Sequence, residues 1–229
     1  MAVLVLGQGL LGSEIVKQTG WQFISRQKNN FDFTKLGTYS TLLKGYDTIV
    51  NCIAYTNTYS EDINRHWETN FKAVIDLAEH CNVTNKKLIH ISSDFVYANS
   101  EPFCSEEQLA VPQATAYAQS KLAADMYLKY KANSYLVLRA THKPTPFPYA
   151  CAWNNQSGNF DYVDRIASLM IQLINKQAQG VYNVGTATKT MYELAKETRP
   201  DVHTASITTS LTPQDTTMNL ARMKSFLSL

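Results

Sequence analysis

The sequence has no excess of either charge: 21 basic residues stand against 19 acidic ones, a formal net charge of +2 at pH 7. Nucleic-acid-binding modules normally show a strong basic excess, so no nucleic-acid partner is expected, and any anionic ligand must be held by a few local donors. Cysteine is sparse. Cys52, Cys81, Cys104 and Cys151 are scattered, with no C-x-x-C pair and no metal-like Cys/His spacing, so reduced, mostly buried thiols and no metal site are expected. Long apolar runs are missing too. None approaches the roughly 20 residues that span a bilayer, so no membrane partner is expected. The apolar start, Met1-Ala2-Val3-Leu4-Val5-Leu6, is short and lacks a basic flank, which speaks against a signal peptide and for a cytoplasmic protein. No internal repeat or low-complexity linker divides the chain, and 229 residues suffice for one α/β domain with a sizeable core. Residues 1–229 therefore read as one domain.

What is present is an alternation of short apolar runs with helix-like stretches, the pattern of repeated βαβ units. Strands are expected at Ala2–Leu6, Trp21–Ser25, Asp47–Ile53, Lys87–Ser92, Ser134–Arg139 and Gly180–Val184. Helices are expected at Leu10–Thr19, Thr34–Leu43, Ile63–Cys81, Thr115–Tyr130 and Tyr162–Lys176. The unbroken apolar character of Val3–Leu6 and Leu136–Leu138 suits strands covered on both faces. The fold class is α/β, a doubly wound parallel sheet of the Rossmann type. The rhythm weakens after Arg139, where Pro144, Pro146 and Pro148 force an extended path. Residues from about Val202 to Met218, rich in Thr and Ser, show no periodic element. A small substrate-side cap is therefore expected within about 141–160 and 186–229, built of loops and a little helix.

The first strand runs straight into Gly7-Gln8-Gly9-Leu10-Leu11-Gly12 and a helix. With strand before and helix after, G-x-G-x-x-G reads as a dinucleotide-binding turn. The glycines permit a tight turn and close helix packing, and the pyrophosphate lies over Gly9, Leu10 and Leu11 at the helix N-terminus. At the end of the second strand an acidic residue would accept bonds from a free ribose. Ser25-Arg26 stands there instead. Arg26 can pair with a 2′-phosphate, which favours NADP(H) over NAD(H). Asp32, farther on, is a candidate adenine contact.

Tyr117-Ala118-Gln119-Ser120-Lys121 places a phenol and an ammonium one helical turn apart on one face. Lys121 is expected to favour the tyrosinate and lower the Tyr117 pKa, making the phenol a usable acid or base. The strand before that helix ends in His90-Ile91-Ser92-Ser93-Asp94, at the edge where ligands bind in doubly wound sheets. Ser93 is the candidate to bond the substrate oxygen beside Tyr117. Ser92 and Asp94 are the alternatives, local capping is the other role open to Ser93, and His90 reads as a packed core residue.

Together these residues resemble the extended short-chain dehydrogenase/reductase superfamily and, within it, the dTDP-4-dehydrorhamnose reductase family. Further stretches are similar to that family: Asn51-Cys52-Ile53-Ala54-Tyr55-Thr56, Trp67-Glu68-Thr69-Asn70, Ser92-Ser93-Asp94-Phe95-Val96-Tyr97, Asp161-Tyr162-Val163-Asp164, Gly180-Val181-Tyr182-Asn183-Val184-Gly185, and Pro213 to Asn219. The resemblance implies hydride transfer between NADPH and a 4-keto-6-deoxy nucleotide sugar. It further implies that Cys52 and Ala54 lie beside the nicotinamide, Tyr117 supplies the proton, Lys121 holds the ribose, and Ser93 orients the keto oxygen. It leaves a homodimer open. Thr141–Asn159, with its prolines and Trp153, has no close counterpart in the family pattern, which leaves the sugar and the nucleotide undetermined. Two other readings are carried forward. One is a non-catalytic partner module, of the kind seen in the regulatory β subunit of methionine adenosyltransferase. The other is an NAD-dependent epimerase or dehydratase. Retention of Tyr117, Lys121 and the glycine turn speaks against the first, and Arg26 against the second.

Overall fold

A computed structural model describes residues 2–229. All six expected strands form one parallel sheet. They are β1 (Val3–Leu6), β2 (Gln22–Ile24), β3 (Thr48–Asn51), β4 (Lys87–Ser92), β5 (Tyr135–Arg139) and β6 (Gly180–Asn183), in the order β6-β5-β4-β3-β1-β2. The strand order reverses between β1 and β3, which opens a crevice at their carboxyl ends, where ligands bind in sheets of this kind. The unbroken apolar runs have the expected cause. Val3 and Val5 pack into the cluster on one face, with Ile15 and Met170. Leu4 and Leu6 enter the other, with Phe31, Tyr39 and Leu77. Both faces of β1 are thus covered, and all four of its residues are buried.

The flanking helices are α1 (Leu10–Thr19), α2 (residues 63–83), α3 (Ala116–Lys131), α4 (Val163–Asn175), α5 (Met191–Thr198) and α6 (Ala221–Leu227). α2 is not one uniform helix, because Trp67–Lys72 adopts π-type winding between Ile63–His66 and Ala73–Val83. The expected helix Thr34–Leu43 is absent; two 3-10 turns, Leu36–Thr38 and Ser40–Leu43, stand in its place. Local side-chain bonds compete with the helical ladder there. Asp32 Oδ1 accepts from the Thr34 backbone N–H and hydroxyl, and the Thr38 hydroxyl bonds the carbonyls of Asp32 and Lys35.

The stretch 202–218 is also more ordered than expected. His203–Ala205 pairs with Cys151–Trp153, and Asp215–Thr216 pairs with Ser157–Gly158, which also meets Lys189–Thr190. Strands of two or three residues are too short to show a period, so they escape sequence reading. They join 151–158 to 189–216 over a third apolar cluster that includes Phe147, Phe160, Met191 and Leu194. α5 did carry a signal: Thr190 and Glu193 form a capping box, the T-x-x-E pattern of a helix start.

Candidate active site

The glycine turn leaves β1 with Gly7 in the left-handed region at φ +97°, where a side chain would also press on Ile53. A Cβ on Gly12 would lie 2.2 Å from the Gly7 carbonyl oxygen, so the third glycine lets α1 sit against the turn. Gly9 differs. It is the N-cap of α1, has no side chain to supply a capping bond, and a Cβ added there would meet nothing within 4 Å. The first-turn N–H groups of α1 therefore carry no side-chain cap at an open surface, which suits the close approach of an anionic phosphate. Gly7 and Gly9 line a cavity of about 640 Å³ together with Ser25, Arg26, Asp32, Cys52 and Ala54. Ser25 caps the short helix Arg26–Asn29, accepting from the Lys28 N–H. The Arg26 side chain is 74% exposed and 3.9 Å from Asp32, free to turn toward a ligand. Asp32 is held below the usual carboxylate range, first by its bonds to Thr34 and then by Lys35 and Arg26.

Gly9, Leu10 and Leu11 continue into a second cavity of about 380 Å³, which Cys52, Ala54, Ser93, Tyr117 and Lys121 also line. The i, i+4 spacing on α3 does bring Tyr117 and Lys121 to one site. Their electrostatics depart from the sequence expectation. Burial pushes the Tyr117 phenol up to about 12, and the opposing pull comes from the Ser93 hydroxyl. Lys121 is 1% exposed, and burial brings it down to about 8. Its Nζ donates to the Ile91 carbonyl at 2.5 Å and lies 3.1 Å from His90 Nε2, so its closest partners are on β4.

Ser93 does both things open to it. Its Oγ accepts from the Phe95 N–H as a local cap and donates to Asp94 Oδ1 at 3.2 Å, while facing Tyr117. Asp94 is buried and lines the neighbouring third cavity. It accepts from Thr141 and, at 2.8 Å, from Thr216, and burial raises its pKa against those bonds. Ser92 also lines this second cavity, and its hydroxyl donates to Asp125 Oδ2 at 2.8 Å.

A third cavity of about 590 Å³ adjoins the second through Thr56 and Thr141. Phe95, Phe147 and Trp153 give it aromatic walls, and Lys143 faces it without an ion-pair partner among the described residues. Sequence reading missed Lys143 and its neighbour His142, which lines the second cavity. Burial brings His142 down to about 4, and its Nδ1 is buried without a hydrogen-bond partner. No motif contains either residue; the short strand His142–Lys143, paired with Asp161–Tyr162, puts them there.

Residues 1–142, more than half of the chain, match the family model described as RmlD substrate binding domain. The chain belongs to the RmlD substrate binding domain family. A curated relative, dTDP-4-dehydrorhamnose reductase from Mycobacterium tuberculosis, is 28% identical over 128 residues, which span 51% of this chain and 41% of that protein. The match thus covers less than half of the relative's length. Among solved structures, dTDP-4-dehydrorhamnose reductase from Bacillus anthracis in complex with NADP has a TM-score of 0.84 at 19% identity, over 97% of this chain and 92% of that one. MoeE5 in complex with UDP-glucose and NAD has a TM-score of 0.77 at 17% identity, over 100% and 93%. At these identities the likeness is one of fold. The RmlD-family match ends at His142, so Lys143, Phe147, Trp153 and most of the third cavity lie beyond it.

Proposed function

We propose that this RmlD-family chain is a cytoplasmic NADPH-dependent reductase of a 4-keto-6-deoxy nucleotide sugar. The observation that carries the reading is the continuity of the three cavities. A glycine cradle and Arg26 lie at one end, Tyr117, Ser93 and Lys121 in the middle, and an aromatic chamber with Lys143 at the other. The open Gly9 position and the uncapped α1 N-terminus fit a pyrophosphate, and Arg26 fits a 2′-phosphate. Bound NADPH supplies a hydride.

Charge then grows on the keto oxygen, and Tyr117 delivers the proton that neutralises it. Ser93 shares that oxygen by turning its hydroxyl from Asp94 to the substrate. A phenol raised to about 12 keeps its proton until the developing alkoxide, a stronger base, takes it. In the third cavity the aromatic walls take the nucleobase, and Lys143 offsets the charge of the diphosphate.

The test is NADPH oxidation with a panel of 4-keto nucleotide sugars, run beside cofactor titration. Tyr117→Phe keeps the ring but removes the proton. It should leave NADPH affinity near wild type and lower turnover roughly 10²-fold or more. Near-normal turnover in that variant sinks the mechanism; cofactor binding with no turnover on any sugar favours the partner-module reading.

A further inference from the structure

A pyrophosphate laid over Gly9 carries a negative charge on each phosphoryl group, and the N-terminus of α1 offsets only part of it. That terminus supplies N–H donors and about half a positive charge. The charged side chains lining the same cavity are Arg26, Asp32, Arg65 and Glu68. Asp32 is faced by Arg26 at 3.9 Å and by Lys35 at 3.7 Å. Glu68 is faced by Lys72 at 3.4 Å, one turn farther along α2. Arg65 is the remaining charge, and its guanidinium has no ion-pair partner among the described residues. Asp62, at the start of α2, accepts from the Arg65 backbone N–H at 3.1 Å as a helix cap.

The guanidinium lies instead over the Tyr55 ring, 4.3 Å from its centroid. That ring is a fixed platform. The Tyr55 N–H donates to Asn70 Oδ1 at 2.8 Å, its carbonyl accepts from Asn70 Nδ2 at 3.1 Å, and its hydroxyl donates to Ser60 Oγ at 2.9 Å. Stacking on a ring leaves the edge of the guanidinium, with its N–H donors, open to a ligand. The sheet order decides from which side it comes. β1 lies between β3 and β2; Arg26 follows β2, whereas Tyr55 and Arg65 follow β3. The two arginines therefore flank the Gly7–Gly9 turn from opposite sides.

We propose that Arg65 is a cofactor-binding residue that clamps the pyrophosphate of the dinucleotide against the N-terminus of α1, from the side opposite Arg26. The clamp rests on the reductase reading, which supplies the dinucleotide. Arg26, on the outer β2 side, meets the 2′-phosphate that distinguishes NADPH. Arg65 meets the diphosphate that NADH and NADPH share. A planar guanidinium can give two parallel N–H bonds to one phosphoryl group, which the helix N–H groups hold from below. Glu68 lines the same wall, and Lys72 offsets its repulsion of the phosphates.

The experiment is fluorescence titration of NADPH and of NADH into the full chain, as wild type, Arg65→Ala and Arg65→Lys. Arg65 is exposed, so thermal unfolding of Arg65→Ala should stay near wild type. The same variant should bind both cofactors more weakly by a common factor, roughly tenfold or more, the loss of one charge-assisted contact. Arg65→Lys keeps the charge without the planar fork and should recover part of that loss. Arg26→Ala, by contrast, should weaken NADPH alone. A loss in Arg65→Ala confined to NADPH would put the guanidinium at the 2′-phosphate and overturn the clamp. Unchanged affinity for both cofactors would overturn it as well, while leaving the reductase reading intact. A wild type that binds neither cofactor would instead end the reductase reading, and the clamp with it. Should Arg65→Ala fail to fold, Arg65→Gln, which keeps the stem over the Tyr55 ring, carries the same comparison.

Discussion

Gly9 and Gly12 occupy one motif but do different work, and a pair of substitutions separates them. At Gly9 the backbone is extended, with φ −75° and ψ −169°, a conformation open to any residue. A Cβ there meets nothing within 4 Å. Gly9→Val should therefore cost only the poorer N-cap, about 1 kcal/mol, or roughly 2–4 °C in Tm. The isopropyl group would nevertheless stand where a pyrophosphate must approach the first turn of α1. Losing two charge-assisted hydrogen bonds at about 1.5–3 kcal/mol each amounts to about 3–6 kcal/mol, or roughly 10²–10⁴-fold in NADPH affinity. Gly12→Ala should show the reverse emphasis. Its methyl would sit 2.2 Å from the Gly7 oxygen, an overpacking of about 1–3 kcal/mol and roughly 2–12 °C, because helix and turn must separate. Thermal unfolding and NADPH fluorescence titration of both variants give the four numbers needed. A folded Gly9→Val that binds NADPH like wild type would refute the phosphate assignment, and a Gly12→Ala as stable as wild type would refute the packing argument.

Arg26→Ala should erase most of a preference for NADPH over NADH. A lost charge-assisted contact of about 1.5–3 kcal/mol is roughly a 10- to 150-fold change, and equal wild-type affinities for the two cofactors would remove its basis. Lys121 offers a pH test of its burial. Its folded value of about 8 lies below the ordinary 10.5, so between those pH values the unfolded chain binds more protons. Stability must then rise with pH, by up to about 1.4 kcal/mol per unit. Denaturant unfolding should show wild type gaining on Lys121→Met between those pH values and running parallel to it below; parallel curves throughout would mean that the lysine is not buried as described.

Much of this protein was legible in the sequence because the determinants are local. An apolar run such as Val3–Leu6 identifies a strand covered on two sides wherever it lies. G-x-G-x-x-G between strand and helix specifies the turn, and Tyr117 and Lys121 share a face because a helix has 3.6 residues per turn. The sheet and the gathering of Gly9, Ser93, Tyr117 and Lys121 at its carboxyl edge follow from such signals. Side chains that compete with the backbone, as at Asp32, Thr34 and Thr38, defeat them, and the expected helix at Thr34–Leu43 is lost there. Only the tertiary structure brings Thr216 to Asp94, 122 positions earlier in the chain, or sets Lys143 and Trp153 in one chamber with Phe95. These contacts join strands and a 3-10 turn too short to have a period. Protonation was equally out of reach. A helical spacing predicts that Lys121 will face Tyr117, but how tightly that lysine holds its proton depends on its burial and on the groups packed around it. Desolvation and donor–acceptor matching are properties of the packed interior, and a linear sequence does not contain them.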